Sequence, residues 1–106
     1  MKNQYIVIFV TAKNKAEAKK IAQGLLKDSL VACVNMVGGV ESYFQWQGKI
    51  DKANETLLII KTKQKSFEKV LSKVKQLHSY DNPEIIALPI VAGSWDYLKW
   101  IDEVVA

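Results

Sequence analysis

Residues 30–63, LVACVNMVGGVESYFQWQGKIDKANETLLIIKTK, decide the fold, because they read as one long β-hairpin turning at Gln47-Gly48. At about 3.3 Å per residue, an arm of some fifteen residues reaches roughly 50 Å. A compact chain of this size has a radius of gyration of only about 13 Å. Part of the ladder must therefore leave its own core. An isolated two-stranded ribbon is at best marginally stable in water, so the overhang needs another surface to lie on, and a symmetric oligomer supplies one. Tyr43, Phe44 and Trp46 sit on that overhang. They are the expected interface between copies, where large amphipathic rings provide most of the contact energy. The Gly38-Gly39 pair inside a strand pattern suggests a bulge or bend. After the turn, residues 49–54 are polar and residues 56–60 apolar, which gives the second arm a wet end and a dry end.

Before the hairpin, the apolar run 5–11 reads as a strand buried on both faces, since its apolar residues are continuous. Asn14, with Glu17 three residues on, signals a capped helix whose inward stripe is Ala18, Ile21, Ala22, Leu25 and Leu26. After the hairpin, Ser66 is positioned to cap a second helix with Phe67, Val70, Leu71, Val74 and Leu77 inward. His78 falls at that helix's end, residues 79–83 form a turn, and residues 84–91 form a strand in which Pro89 marks an edge position or a bulge. A last helix spans about 95–105. The order is βαββαβ plus a terminal helix, an α+β chain of the ferredoxin-like kind with an antiparallel sheet and both crossover helices on one face. Residues 6–10, 57–60 and 85–91 are apolar on both faces, and the terminal helix shields only part of the second one. Sheets of neighbouring copies are the natural cover for the remainder.

Composition agrees with one domain over residues 1–106: 49% of the 106 residues are hydrophobic, 25% are charged, and no linker or repeat interrupts them. The charge of +4 comes from 15 lysines against 11 acids, with no arginine. Without the bidentate guanidinium fork, and with lysines mostly on helix exteriors, no nucleic-acid partner is expected. The start, Met1-Lys2 before an apolar run, superficially resembles a signal peptide, but the run is short and passes into lysines without a cleavage site. Nothing approaches a membrane span, so the expected compartment is the cytoplasm. Cys33 is the one cysteine, which excludes an internal disulfide and fits a reducing environment.

A conventional enzyme site does not assemble from these residues, which offer one histidine, one cysteine and no phosphate-binding glycine loop. Cys33, in mid-strand, reads either as a small buried hydrophobe or as a thiolate ligand. The densest chemistry is His78-Ser79-Tyr80-Asp81-Asn82-Pro83-Glu84. His78 reads either as a ligand for copper or zinc or as a hydrogen-bonding group at a helix end. Glu84 has two candidate partners, Tyr80 and Lys61, and a polar group in that apolar setting is a feature of ligand pockets as well as of structural networks. Trp46, Trp95 and Trp100 have spacings that fit packing better than a platform for bases.

Five segments, LVACVN at 30–35, GVESYFQWQGKI at 39–50, Lys61-Thr62, HSYDNPEII at 78–86 and YLKWI at 97–101, resemble in order the signature of the CutA divalent-cation tolerance family. The resemblance implies a ferredoxin-like subunit in an interlocked homotrimer similar to the PII signalling proteins, without a demonstrated reaction. It also implies a role in tolerance or homeostasis of divalent metals, copper above all. In some bacterial members a first-strand cysteine and a histidine pair before the Tyr-x-x-Pro-Glu turn are the proposed copper ligands. The matching positions here are Val10, Leu77 and His78, so only His78 keeps a ligand type. Weak binding of copper or another divalent cation is then the expectation, with Cys33, Glu84 or another subunit as further donors. The alternative is a small-molecule sensor or partner-docking scaffold, using clefts between subunits near Lys61, Tyr80 and Glu84.

Overall fold

The computed structural model describes residues 4–106. Met1 and Lys2, the charged start compared above with a signal peptide, lie outside the described residues. The elements run β1 (Tyr5–Ala12), α1 (Lys15–Lys27), β2 (Cys33–Trp46), β3 (Lys49–Lys63), a 3-10 turn (Gln64–Ser66), α2 (Phe67–Leu77), β4 (Ile85–Pro89) and α3 (Trp95–Val104). The four strands form one antiparallel sheet in the order β2-β3-β1-β4. This is the ferredoxin-like arrangement with an added terminal helix that the element order predicts. The last strand is shorter than expected and ends at Pro89, on a sheet edge, where a missing N–H costs no ladder bond.

Local chemistry explains the boundaries. Asn14 Oδ1 accepts from the Glu17 backbone N–H at 2.8 Å, and the Glu17 carboxylate reaches back to the Lys13 N–H at 3.2 Å, so orphan donors at the start of α1 are satisfied. Ser66 differs from expectation. The 3-10 turn runs directly into α2, leaving Ser66 in helical conformation (φ −91°, ψ −5°) with no side-chain cap bond. The hairpin does turn at Gln47 (φ 50°) and Gly48 (φ 76°). Two left-handed residues in succession make the tight turn whose twist matches that of its strands. Val37 faces Leu57 and Val40 faces Glu55, so β2 holds one extra residue at the glycine pair, with Gly39 at φ 71°. That is a bulge of the kind a left-handed glycine permits.

Alternation along β1 sends Ile6, Ile8 and Val10 toward the helices and Val7 and Phe9 to the other face. The main core is the helix side, where Ile8, Val10, Leu58 and Ile60 meet Ile21, Leu25, Val70 and Val74, all with no exposed surface. A second, smaller cluster lies on the opposite face. There Ile101 and Val105 of the C-terminal segment close over Ala32, with Tyr5 and Leu98 at the margin. Tyr5 donates to Asp102 at 2.5 Å, and Lys63 stands 3.6 Å from the same carboxylate, so α3 is fastened at one end of the sheet. The rest of that face is uncovered: Ile86 is 51% exposed, and Leu88 and Val37 are nearly as open. The chain is 44 Å long with a radius of gyration of 14.3 Å, and its ribbon ends in exposed Tyr43, Phe44, Trp46 (60%) and Ile50 (80%).

Candidate functional site

The polar stretch after α2 folds against the far end of β1 and the start of α1. His78 is the residue that stops α2, and its extended backbone (φ −84°, ψ 144°) turns the chain back across β1. Its imidazole is fully buried. Nε2 donates to the Thr11 carbonyl at 2.7 Å, and Nδ1 accepts from the Tyr80 N–H at 3.1 Å. These two bonds require the neutral ring with its proton on Nε2. Glu17 closes the network from α1, its Oε1 accepting from the Ser79 N–H at 2.9 Å and its Oε2 lying 3.8 Å from Nδ1. Burial pushes the Glu17 carboxyl up, but the hydrogen bonds it accepts from Ser79 and Lys13 outweigh it, and the net shift is downward. The Tyr80 ring packs beside the imidazole, centroids 4.8 Å apart, and its hydroxyl donates to Glu55 Oε2 at 2.8 Å. Burial, the Glu55 bond and the charges of Glu55 and Glu17 push the phenol up to about 12. Tyr80 is therefore a fixed donor, and a poor base near neutral pH.

The partners expected for Glu84 are taken elsewhere. Tyr80 binds Glu55, while the Lys61 ammonium donates to the Asn35 side chain and, at 3.4 Å, to the Ile59 carbonyl. The register explains why Lys61 and Glu84 stay apart. Lys61 faces Val7, whereas Glu84 precedes Ile85, the partner of Val10, and so stands level with Thr11. Four residues along the strand amount to roughly 13 Å, and two strand spacings add about 10 Å across. Lys61, Tyr80 and Glu84 thus form no single pocket within one chain, and Glu84 is exposed. Two shallow grooves of about 500 and 460 Å³ lie on other surfaces, beside Asp28 and Lys73 and beside Phe67 and Pro89.

The same register separates the two candidate metal ligands. Cys33 faces Lys61 at one end of the sheet, and His78 binds Thr11 at the other. Cys33 lies near the phenol of Tyr97, whose pKa is raised by burial first and by Cys33 second. Among the described residues no group of three or more His, Cys, Asp and Glu side chains is placed to hold a metal ion. Nor does the imidazole fit a cation. Ligation through Nε2 would orphan the buried Thr11 carbonyl, and ligation through Nδ1 would meet the Tyr80 N–H, each a loss of about 1–3 kcal/mol. Glu55, which sequence reasoning missed, is the acceptor that anchors Tyr80. Its one signal was its place at the polar-to-apolar switch of the second arm, Asn54-Glu55-Thr56.

The terminal helix carries a further aromatic face, left open rather than packed as its spacing suggested. Trp95 is 70% exposed under the Lys99 ammonium, 5.0 Å from its ring centre, and Tyr97 and Trp100 pair at 5.5 Å. Among the described residues no helix is long and apolar enough to cross a membrane.

These features define a small ferredoxin-like α+β subunit with a saturated polar network, no cluster of metal-ligating side chains among the described residues, and a large uncovered apolar face. The sequence profile of the CutA1 divalent ion tolerance proteins matches residues 6–104, and the chain belongs to that family. The family is associated with divalent-cation tolerance. The chloroplastic protein CutA of Arabidopsis thaliana is 47% identical over 96 residues, which are 91% of this chain and 53% of that protein. This chain therefore spans about half the length of that relative. The solved structure of the divalent cation tolerance protein (Cut A1) from Thermus thermophilus superposes with a TM-score of 0.95 at 40% identity, covering 96% of this chain and 99% of that one. The structure described as the periplasmic divalent cation tolerance protein CutA from Archaeoglobus fulgidus gives a TM-score of 0.94 at 43% identity, covering 96% and 99%.

Proposed function

We propose that the chain works as a self-assembling homotrimer of PII-like architecture, a non-catalytic component of divalent-cation tolerance in the cytoplasm. The observation that carries the reading is the uncovered apolar surface. One chain leaves Val37, Ile86 and Leu88 on the open sheet face and Tyr43, Phe44, Trp46 and Ile50 on the ribbon in water. Contiguous apolar patches of this kind mark interaction surfaces. A second copy is the partner that presents matching apolar surface by construction, and three is the number the family resemblance implies. Tyr43, Phe44 and Trp46 are the residues assigned to the contact. Native mass spectrometry tests this: a species at three times the chain mass is expected, and a folded monomer at micromolar concentration overturns it.

Within such a trimer the docking or sensing reading also has support. Lys61 and Glu84 share the open face but stand too far apart to pair within one chain, so a neighbouring copy is what can bring them, with Tyr80, around one cleft. Thermal-shift screening against charged metabolites tests it, and a stabilisation lost in both Lys61→Ala and Glu84→Ala is the expected result. Copper or another divalent cation, on this reading, takes donors from more than one copy, since one chain's described residues gather no ligand set. The cytoplasmic assignment draws on Cys33 being the single cysteine, and fractionation of the source cells checks it.

A further inference from the structure

We infer that His78 is a turn-setting residue, its two ring nitrogens consumed in joining β1, α2 and the turn before β4, and that no divalent cation enters through it. The geometry is that of an Asx-turn made by an imidazole: the ring atom Nδ1 accepts from the backbone N–H two residues on, Tyr80, as an asparagine oxygen does. The other nitrogen does what an asparagine is too short to do and reaches the Thr11 carbonyl across the sheet end. One aromatic ring thus sets the turn locally and ties it to a strand 67 residues earlier. The turn so placed carries the Tyr80 ring over the imidazole and its hydroxyl onto Glu55. Ser79 meanwhile donates to Glu17 at the start of α1.

Every polar atom of the ring has its partner, the side chain has no surface in contact with water, and the nearest thiol is at the other end of the sheet. A cation would have to break a bond at either nitrogen to coordinate there. The role also explains why a single histidine serves here without a second ligand beside it: Leu77 packs against the core, and Val10 is fully buried within it. The inference concerns one chain's own hydrogen bonds and does not depend on the number of subunits.

The test uses the full chain labelled with nitrogen-15, with zinc and copper ions alone as probes. Long-range proton–nitrogen spectra of the single histidine are expected to show the neutral ring protonated at Nε2, unchanged by one equivalent of zinc. Calorimetric titration with copper is expected to give the same affinity, within twofold, for wild type and for His78→Asn, which keeps the acceptor for the Tyr80 N–H. His78→Ala, lacking both bonds, is expected to unfold at lower temperature than His78→Asn. A shift of either ring nitrogen on adding zinc overturns the inference, as does a proton found on Nδ1. A tenfold loss of copper affinity in a folded His78→Asn does the same. Should His78→Asn fail to fold, the ring-nitrogen spectra of the wild type decide alone. Absence of any metal binding by the wild type supports the inference, and a monomeric native mass in these samples would overturn the trimer without touching it.

Discussion

Glu55 is a carboxylate at only 9% exposure whose recorded partner is the Tyr80 hydroxyl at 2.8 Å. Removing a hydrogen-bond partner from a buried charged group costs more than removing both members of a pair. Tyr80→Phe is therefore expected to lower the unfolding free energy by about 1–2 kcal/mol, measured by denaturant titration at fixed protein concentration. Glu55→Gln, which still accepts from the phenol, is expected to cost less. Glu17 gives a pH signature. Its folded-state pKa lies below its unfolded one, so its contribution is present above the ordinary glutamate range and is lost as pH falls through the folded value. The stability gap between wild type and Glu17→Gln is accordingly expected to be full at pH 7 and to shrink below about pH 4, which unfolding curves at both pH values report. Asn14 and Glu17 were legible in the sequence because capping is a short-range rule. The Tyr80 to Glu55 bond was not, because its partners are 25 residues apart and meet only through the register. Adjacency made Glu84 the more conspicuous choice and led to the wrong carboxylate.

Among the elements, the hairpin was the most readable and the caps the least uniform. Alternation, turn chemistry and the glycine pair all act within a few residues, so the turn at Gln47-Gly48 and the bulge at Gly38-Gly39 emerge from local rules. Which glycine bears the left-handed conformation does not, since either satisfies the pattern. The structure places it at Gly39, φ 71°, and leaves open space around both positions. An alanine at 39 must therefore adopt a conformation that costs about 1–2 kcal/mol in an L-residue, whereas one at 38 meets neither strain nor neighbours. Gly39→Ala is expected to lower the unfolding midpoint clearly and Gly38→Ala hardly at all. Equal effects in a thermal melt would show that the bulge is not held in this form. Ser66 failed as a cap for a reason no local pattern reports: the chain leaves β3 already winding, and a residue inside a helical turn has no free N–H ahead of it to bind.

For the whole molecule, the decisive asymmetry is between two sheet faces of similar apolar content. The face under α1 and α2 is sealed, while the other is covered by α3 only around Ala32 and Tyr5. Continuous apolar strands told from sequence that both faces needed cover; how little of the second face one short helix reaches became visible only with the register. A charge placed on each side of the molecule separates self-assembly from folding. Ile86, on the open face of β4 opposite Phe9, is 51% exposed in one chain, and Leu26, on the helix side, is 43% exposed. In a lone chain either side chain exchanges for lysine at similar, small cost. If the open face is sealed by other copies, the lysine at 86 becomes a buried unpaired cation and the assembly carries a desolvation penalty of several kcal/mol per subunit. Ile86→Lys is then expected to sediment as a monomer at micromolar concentration with native circular dichroism, while Leu26→Lys keeps the wild-type size. An Ile86→Lys variant that retains the full assembly would remove this face from the contact and leave the ribbon aromatics alone to account for it.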